Sequence, residues 1–341
     1  MAHPTTSLFT ATIPRATVGR MAQGFWRKVG LWIKASRALY TITVLLPCCL
    51  GAVMAWRAGA SFPGGLLALV LVGMMFANIG TNFTNDYYDY RSGVDRRDRG
   101  RVYKQGAEVL YENPLAESGS VDGFAAYFFS PRAVLASALA SFGVTAAVGA
   151  VLAARVDWRI LPLGVVGLAA GYFYTAPPVR FGYRGFGDLI CFLGSGPFAV
   201  LGTYFLFSGG LTWSAVLAGI IAGLWVDAIL YIGNVPDTDA DREVGKVTLS
   251  TLLGRKAVRV LGPLYYAVAY LLLAAAVVAR LFPAWTLLAL LPLPLAARAL
   301  LIAGRNYEDI PRFAPAILIT VQVFALSTLL LGLGFVLDRV L

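Results

Sequence analysis

Nine apolar stretches, each long enough to cross a bilayer, follow one another along this 341-residue chain. They lie near 38–56, 65–85, 133–154, 160–176, 187–208, 213–233, 260–279, 283–303 and 314–337. A helix needs roughly 20 apolar residues to span the hydrocarbon core. A transmembrane barrel would instead show segments of about 10 residues with alternating polarity. In lipid every backbone N–H and C=O has to be paired internally, so long continuous apolar runs become helices. Hydrophobic residues make up 58 % of the chain and charged residues 13 %, where a soluble domain carries roughly a quarter charged. The expected class is an all-α integral membrane protein with nine transmembrane helices. Residues 1–30 lack an apolar core ahead of Arg27 and Lys28. They read as a cytoplasmic N-terminal tail rather than a signal peptide, and residues 31–341 read as one membrane domain.

Charge placement orients the spans. The connections at 57–64, 155–159, 209–212 and 280–282 are short, and those on the other side are longer and basic. Of the 28 Lys and Arg, all but Arg57, Arg155, Arg159, Arg280 and Arg339 fall on the basic side. Positive residues collect on the cytoplasmic side of a membrane, so the N-terminus is expected to be cytoplasmic. The net charge of +10 then reflects topology, and no nucleic-acid partner is expected. Cys48, Cys49 and Cys191 sit in apolar runs without a C-x-x-C, and His3 is the one histidine. That pattern offers nothing for zinc, haem or iron–sulfur ligation. Trp56, Trp158, Trp213 and Trp285, beside the short loops, read as interface anchors.

Against this scarcity of charge, two acidic clusters close the second and sixth spans. The first is Asn85-Asp86-Tyr87-Tyr88-Asp89-Tyr90-Arg91-Ser92-Gly93-Val94-Asp95, and the second is Asn234-Val235-Pro236-Asp237-Thr238-Asp239-Ala240-Asp241-Arg242-Glu243. Together they hold six Asp and one Glu of the 18 acidic residues. Both fall on the basic, cytoplasmic side. Asp86 and Asp89 are three apart, and Asp237 and Asp241 four apart, so each pair shares a helix face. Asn82 and Asn85 join the first face, Asp95 can return to it after Gly93, and Asp239 points elsewhere. Carboxylates at a membrane edge are costly unless solvated, paired or bound to a cation. Oxygen ligands of this kind suit Mg²⁺, whose shell substrate phosphates commonly complete. Arg91, Arg242 and Lys246 can contact phosphate oxygens directly.

These residues resemble the two aspartate motifs of the UbiA superfamily of intramembrane prenyltransferases. The stretch from Asn85 to Asp95 is similar to the first, and Asp237-Thr238-Asp239-Ala240-Asp241-Arg242-Glu243-Val244-Gly245-Lys246-Val247-Thr248-Leu249 to the second. The segment Tyr174 to Asp188, with Gly196-Pro197, resembles the connection between the family's fourth and fifth spans. Lys34-Ala35-Ser36-Arg37, with Pro47 and Gly51, also fits. Within the superfamily the chain looks most like 1,4-dihydroxy-2-naphthoate prenyltransferases of menaquinone synthesis. Asn234, Asp237, Asp241, Arg242, Gly245, Lys246, Thr248 and Leu249 match that branch's second motif. Gly233 and Pro236 stand where the branch usually has Asn and Arg, and residues 97–122 form a longer, more polar loop.

The resemblance implies nine helices around one central cavity with a cytoplasmic-side cap. It implies a bacterial inner-membrane enzyme that transfers a polyprenyl group from polyprenyl diphosphate to an aromatic acceptor. Asp86, Asp89, Asp95, Asp237 and Asp241 would hold Mg²⁺. Arg37, Asn82, Asn85, Arg91, Tyr174, Asn234 and Arg242 would bind substrate. Lys246 would bind either the diphosphate or the acceptor's carboxylate. In the naphthoate branch, prenylation is coupled to loss of that carboxylate. Alternative acceptors are 4-hydroxybenzoate, homogentisate, haem, a sugar phosphate or a lipid. Each residue also has a plainer reading: Arg37 can snorkel to headgroups, Tyr174 can belong to the aromatic belt, and Lys246 can be one more cytoplasmic cation. Arg180 and Arg184 read as surface charges, with Asp188 a partner for one of them. Asp227 lies within the sixth span without an assigned role. A rival class is an ion-coupled transporter, but transporters place their charges near the midplane on broken helices, and here they lie at span ends.

Overall fold

The computed structural model describes residues 29–92, apart from Leu31 and Lys34, and residues 129–341. Asp95, the 97–122 loop, Lys34 and nearly all of the expected 1–30 tail lie outside the described residues. Regular structure among the described residues is helical. It runs α1 (Ile42–Arg57), α2 (Gly64–Ser92), α3 (Pro131–Arg155), α4 (Ile160–Phe173), α5 (Gly187–Ser208) and α6 (Trp213–Asn234). Two short helices, α7 (Thr238–Glu243) and α8 (Leu249–Leu253), precede α9 (Arg255–Val278), α10 (Ala284–Asn306) and α11 (Ile310–Val340). Seven of these, α2, α3, α5, α6, α9, α10 and α11, are long and apolar enough to cross a membrane. α1 and α4 occupy the expected first and fourth spans, but their 16 and 14 residues fall short of the roughly 20 that a perpendicular crossing takes. A 3₁₀ turn at Ala38–Thr41 leads into α1.

The helix ends follow local chemistry. Ser130 and Thr212 have extended backbone, and their hydroxyls accept from the amides of Ala133 and Ala215. Each satisfies one of the amides that the first turn of a helix leaves without an intrahelical partner. Pro131, at the first position of α3, has no N–H to satisfy there. Asp309 does for α11 what Ser130 does for α3, accepting from the amide of Arg312. Gly209, with φ of 73°, ends α5.

Neighbours in sequence pack as neighbours in space: α1 on α2, α2 on α3, α3 on α4, and α5 on α6, with α11 returning to α1. α6 also packs against α9 and α11. It is the internal post, with Ile221, Trp225, Tyr231 and Ile232 fully buried. Its seam with α5 is built from small residues. A Cβ placed on Gly196 would lie 2.4 Å from the Cα of Gly223 and 2.5 Å from the carbonyl oxygen of Gly219, so backbone meets backbone. Helices in lipid gain by such close approach because dispersion replaces the hydrophobic drive. α5 carries a wider π turn over Gly194–Phe198, around Pro197, where the seam forms. At the end of the bundle away from the acidic clusters, Arg57 pairs with Asp338 at 2.6 Å, and Arg339 lies over the ring of Trp56.

Gly196→Ala is expected to force α5 and α6 apart, at about 1–3 kcal/mol for overpacking. Thermal melting of the detergent-purified protein checks this, and an unchanged midpoint would refute a close-packed seam.

Candidate functional site

A cavity of about 1100 Å³ opens among α1–α6. Most of its wall is apolar, with Val70, Met74, Val148, Leu152, Leu163 and Phe198 among the lining residues. Polar groups gather at the end where α2 and α6 finish. Asn78, Asn82, Asn85 and Asp89 come from α2, Asn234 from α6, and Asp237, Asp241 and Lys246 from the segment after it. The two acidic clusters therefore face one space.

The first cluster is held by α2 geometry and by Arg37. Asp86 is 1 % exposed, and its Oδ1 accepts from Nη2 of Arg37 at 2.7 Å. The same nitrogen lies 3.4 Å from Oδ1 of Asn85. Arg37 adopts a left-handed backbone with φ of 55°, uncommon for a residue with a side chain, as it turns the chain into the 3₁₀ lead of α1. Burial alone would lower the guanidinium's pKa, but Asp86 and then Asp89 outweigh it and hold it above the ordinary range. Asn82 donates to the carbonyl of Ser36 and to Oδ1 of Asn78, both at 3.1 Å.

One turn on, Asp89 accepts from the hydroxyl of Tyr183 at 2.6 Å, a short bond of the kind a carboxylate makes. Lys246 Nζ lies 3.3 Å from Asp241 and 4.0 Å from Asp89. It also sits 5.4 Å from the centre of the Tyr183 ring. One ammonium thus stands between the two clusters. Burial would lower its pKa, but Asp89 and Asp241 prevail and raise it, so it stays charged. Tyr183 is pushed up, first by burial and then by Asp89, so its hydroxyl keeps its proton.

The path of the chain explains how Lys246 arrives there. Asp237 is the N-cap residue of α7, and its carbonyl accepts from the amide of Asp241. After α7, Gly245 takes φ of 72°. The Gly245 amide bonds the carbonyl of Arg242 and the Lys246 amide that of Asp241, the paired closure that a left-handed residue gives a helix end. Val247 then pairs with the connection between α4 and α5. Its amide donates to the Tyr183 carbonyl and its carbonyl accepts from the Gly185 amide, both at 3.0 Å. This single parallel bridge fixes Lys246 beside Tyr183.

The other expected residues divide. Tyr174 lines the cavity, with its ring against Gly182 and Gly187, and so does not join an outward-facing belt. Asn234 lines the cavity as well. Arg91 and Arg242 do not. Arg91 lies over the ring of Tyr87, and Arg242 donates to the carbonyl of Thr251 at 2.8 Å. Asp239 is 62 % exposed and pairs with Arg255, which also braces the carbonyl of Pro236. The roles of Tyr183 and Arg255 escaped the sequence reading, since neither follows a helical period with its partner.

Among the described residues, no three His, Cys, Asp or Glu side chains come close enough to enclose an ion alone. The donor set nonetheless fits a hard divalent cation. Asp89 of the first pair and Asp237 and Asp241 of the second line the cavity, while Asp86, held by Arg37, does not. The remaining positions fall to water or ligand oxygens, which is how Mg²⁺ is usually held.

Replacing Lys246 with Met leaves Asp89 and Asp241 buried without their shared cation. Breaking a buried pair costs about 3–5 kcal/mol, so Lys246→Met is expected to melt earlier, and adding Asp241→Asn should recover part of the loss. A double variant that melts as far below Lys246→Met as Asp241→Asn does below wild type would show that the pair is not coupled.

Comparison with known proteins places this arrangement. Residues 129–329 match the UbiA prenyltransferase family. The chain is 27 % identical over 306 residues to the 1,4-dihydroxy-2-naphthoate octaprenyltransferase of Bacillus subtilis, covering 88 % of this chain and 90 % of that protein. It is 29 % identical over 269 residues to the enzyme of the same name from Mycobacterium tuberculosis, covering 79 % and 84 %. The fold is similar to that of a UbiA homologue from Archaeoglobus fulgidus bound to GPP and Mg²⁺, with a TM-score of 0.54 and 16 % identity over 88 % of this chain and 99 % of that one. With the family match covering more than half of its length and the helical bundle agreeing, the chain belongs to the UbiA prenyltransferase family and is a multi-span membrane transferase.

Proposed function

We propose that this enzyme transfers a polyprenyl group from a polyprenyl diphosphate to 1,4-dihydroxy-2-naphthoate, with Mg²⁺ at the two aspartate pairs and the site end facing the cytoplasm. The observation that carries this reading is Lys246 between Asp89 and Asp241, at the polar end of a large apolar cavity. The names of the Bacillus and Mycobacterium relatives support the acceptor. The GPP and Mg²⁺ bound to the Archaeoglobus homologue support the donor and the metal. The placement of 23 of the 28 Lys and Arg on one side, all but Arg57, Arg155, Arg159, Arg280 and Arg339, supports the orientation.

In this reading Asp86, Asp89, Asp237 and Asp241 hold the cation, with Asp95 a further ligand. Bound there, Mg²⁺ supplies Lewis-acid stabilisation of the charge on the departing pyrophosphate. Lys246 and Arg37 present cations to phosphate oxygens at the same pole, and Asn82, Asn85 and Asn234 offer amide donors. The prenyl chain lies along the apolar wall. The allylic C–O bond breaks with its electron pair leaving on pyrophosphate, and the aromatic ring supplies the pair for the new C–C bond. Loss of the acceptor's carboxylate as carbon dioxide returns the electrons that restore aromaticity. The apolar lining keeps water from capturing the allylic cation. A different aromatic acceptor is the second reading, favoured by Gly233 on the cavity wall, where a Cβ would meet nothing within 4 Å.

Turnover in membranes, measured with labelled polyprenyl diphosphate and dihydroxynaphthoate, tests the assignment. Asp86→Ala, Asp89→Ala, Asp237→Ala and Asp241→Ala should each lose most activity, Asp239→Ala little, and chelation should stop the reaction. Full activity in Asp86→Ala would remove that residue from the metal site. Lys246→Met separates the two roles of its ammonium. A charge-assisted contact is worth about 1.5–3 kcal/mol, or roughly tenfold to hundredfold. That loss should appear in donor affinity and kcat, whereas a rise confined to the acceptor's KM would move Lys246 to the acceptor's carboxylate.

A further inference from the structure

The cavity wall carries another carboxylate beyond the two motifs. Asp188 opens α5, is 7 % exposed and lines the cavity. Its Oδ1 is buried with no hydrogen-bond partner. The amides of Asp188 itself and of Leu249 approach the carboxylate. The arginines that sequence offered as partners are not its partners. Arg180 lies over the ring of Tyr183 with its Cζ 4.5 Å from the centroid, its Nε 3.4 Å from the Thr175 carbonyl. Among the described residues Asp188 forms no ion pair.

Tyr174 borders the same patch. A Cβ on Gly187 would lie 3.0 Å from the Tyr174 hydroxyl, so that hydroxyl sits against the residue preceding Asp188. Both residues line the cavity. A buried carboxylate oxygen without a donor is costly, and a ligand hydroxyl reaching this wall would supply one. Phenolic hydroxyls are what a dihydroxylated aromatic acceptor brings, and a prenyl chain has none.

We infer that Asp188 accepts a hydrogen bond from a ring hydroxyl of the aromatic acceptor and thereby sets which ring carbon faces the prenyl group. This rests on the aromatic-acceptor reading above. The hydroxyl keeps its proton, and the bond to a carboxylate raises electron density on the ring. Asp188 is then an acceptor-binding residue, separate from the diphosphate pole.

The test compares wild type, Asp188→Asn and Asp188→Ala on dihydroxynaphthoate and on its two mono-O-methyl ethers. Binding of a non-hydrolysable prenyl thiodiphosphate with Mg²⁺ reports on the donor site and on folding. Both variants should raise the acceptor's KM roughly tenfold to hundredfold, the range for a hydrogen bond to a charged group, with donor-analogue affinity unchanged. One ether should show a similar loss in wild type and no further loss in Asp188→Ala. Wild-type acceptor KM in both variants would overturn the assignment. So would an equal loss of donor binding, which would make Asp188 a structural support, or additive losses for both ethers with Asp188→Ala. A wild type that binds the donor analogue but prenylates no hydroxylated aromatic would overturn the acceptor reading itself, and this assignment with it.

Discussion

Carboxylates buried at the rim of an apolar cavity set the terms for everything near them. A charge taken out of water is costly unless another charge or a set of dipoles answers it. Here Arg37 answers Asp86, while Lys246 answers Asp89 and Asp241 together. The second pairing shapes the fold most, because its members come from segments far apart in sequence. It draws the end of α2, the turn after α7 and the ring of Tyr183 onto one point.

The backbone serves this meeting. The left-handed Gly245 reverses the chain after α7, and the bridge from Val247 to Tyr183 and Gly185 ties that reversal to the connection between α4 and α5. Arg255 braces the other flank through Asp239 and the carbonyl of Pro236. A cation on a flexible stem is thereby given one position. Positioned charge stabilises a departing anion better than mobile charge, since little reorganisation is left to the moment of reaction.

Much of this was legible in the sequence, for reasons that are local. Apolar runs ended by charge gave the span positions, and spacings of three and four put Asp86 with Asp89 and Asp237 with Asp241. The pairing of Gly245 with Lys246 was visible too, though its backbone cause was not. What stayed hidden were contacts between segments without periodicity. Tyr183 reaches Asp89 across 94 residues from an irregular connection, and nothing in its neighbours announces that reach. Arg91 and Arg242 show the converse. Their nearness to the motifs suggested phosphate contact, but long side chains choose their direction from tertiary surroundings, and both lie away from the cavity. The lengths of α1 and α4 were overestimated because apolar residues continue past the helix ends into turns.

The seam of Gly196, Gly219 and Gly223, none of which lines the cavity, sets the α5–α6 contact apart from the cavity wall. There backbone already touches backbone, so the seam itself admits no added side chain. Of the glycines that do line the space, Gly149 on α3, Gly164 and Gly167 on α4, Gly194 on α5 and Gly233 on α6 have nothing within 4 Å of where a side chain would begin. Changes in cavity size are therefore tolerated unequally. A family member could shorten the room for its hydrocarbon substrate by adding side chains at these lining positions, while the close-packed seam keeps the helices that carry Asp188 and the second aspartate motif in register. Chain-length preference and chemistry would then be free to diverge separately.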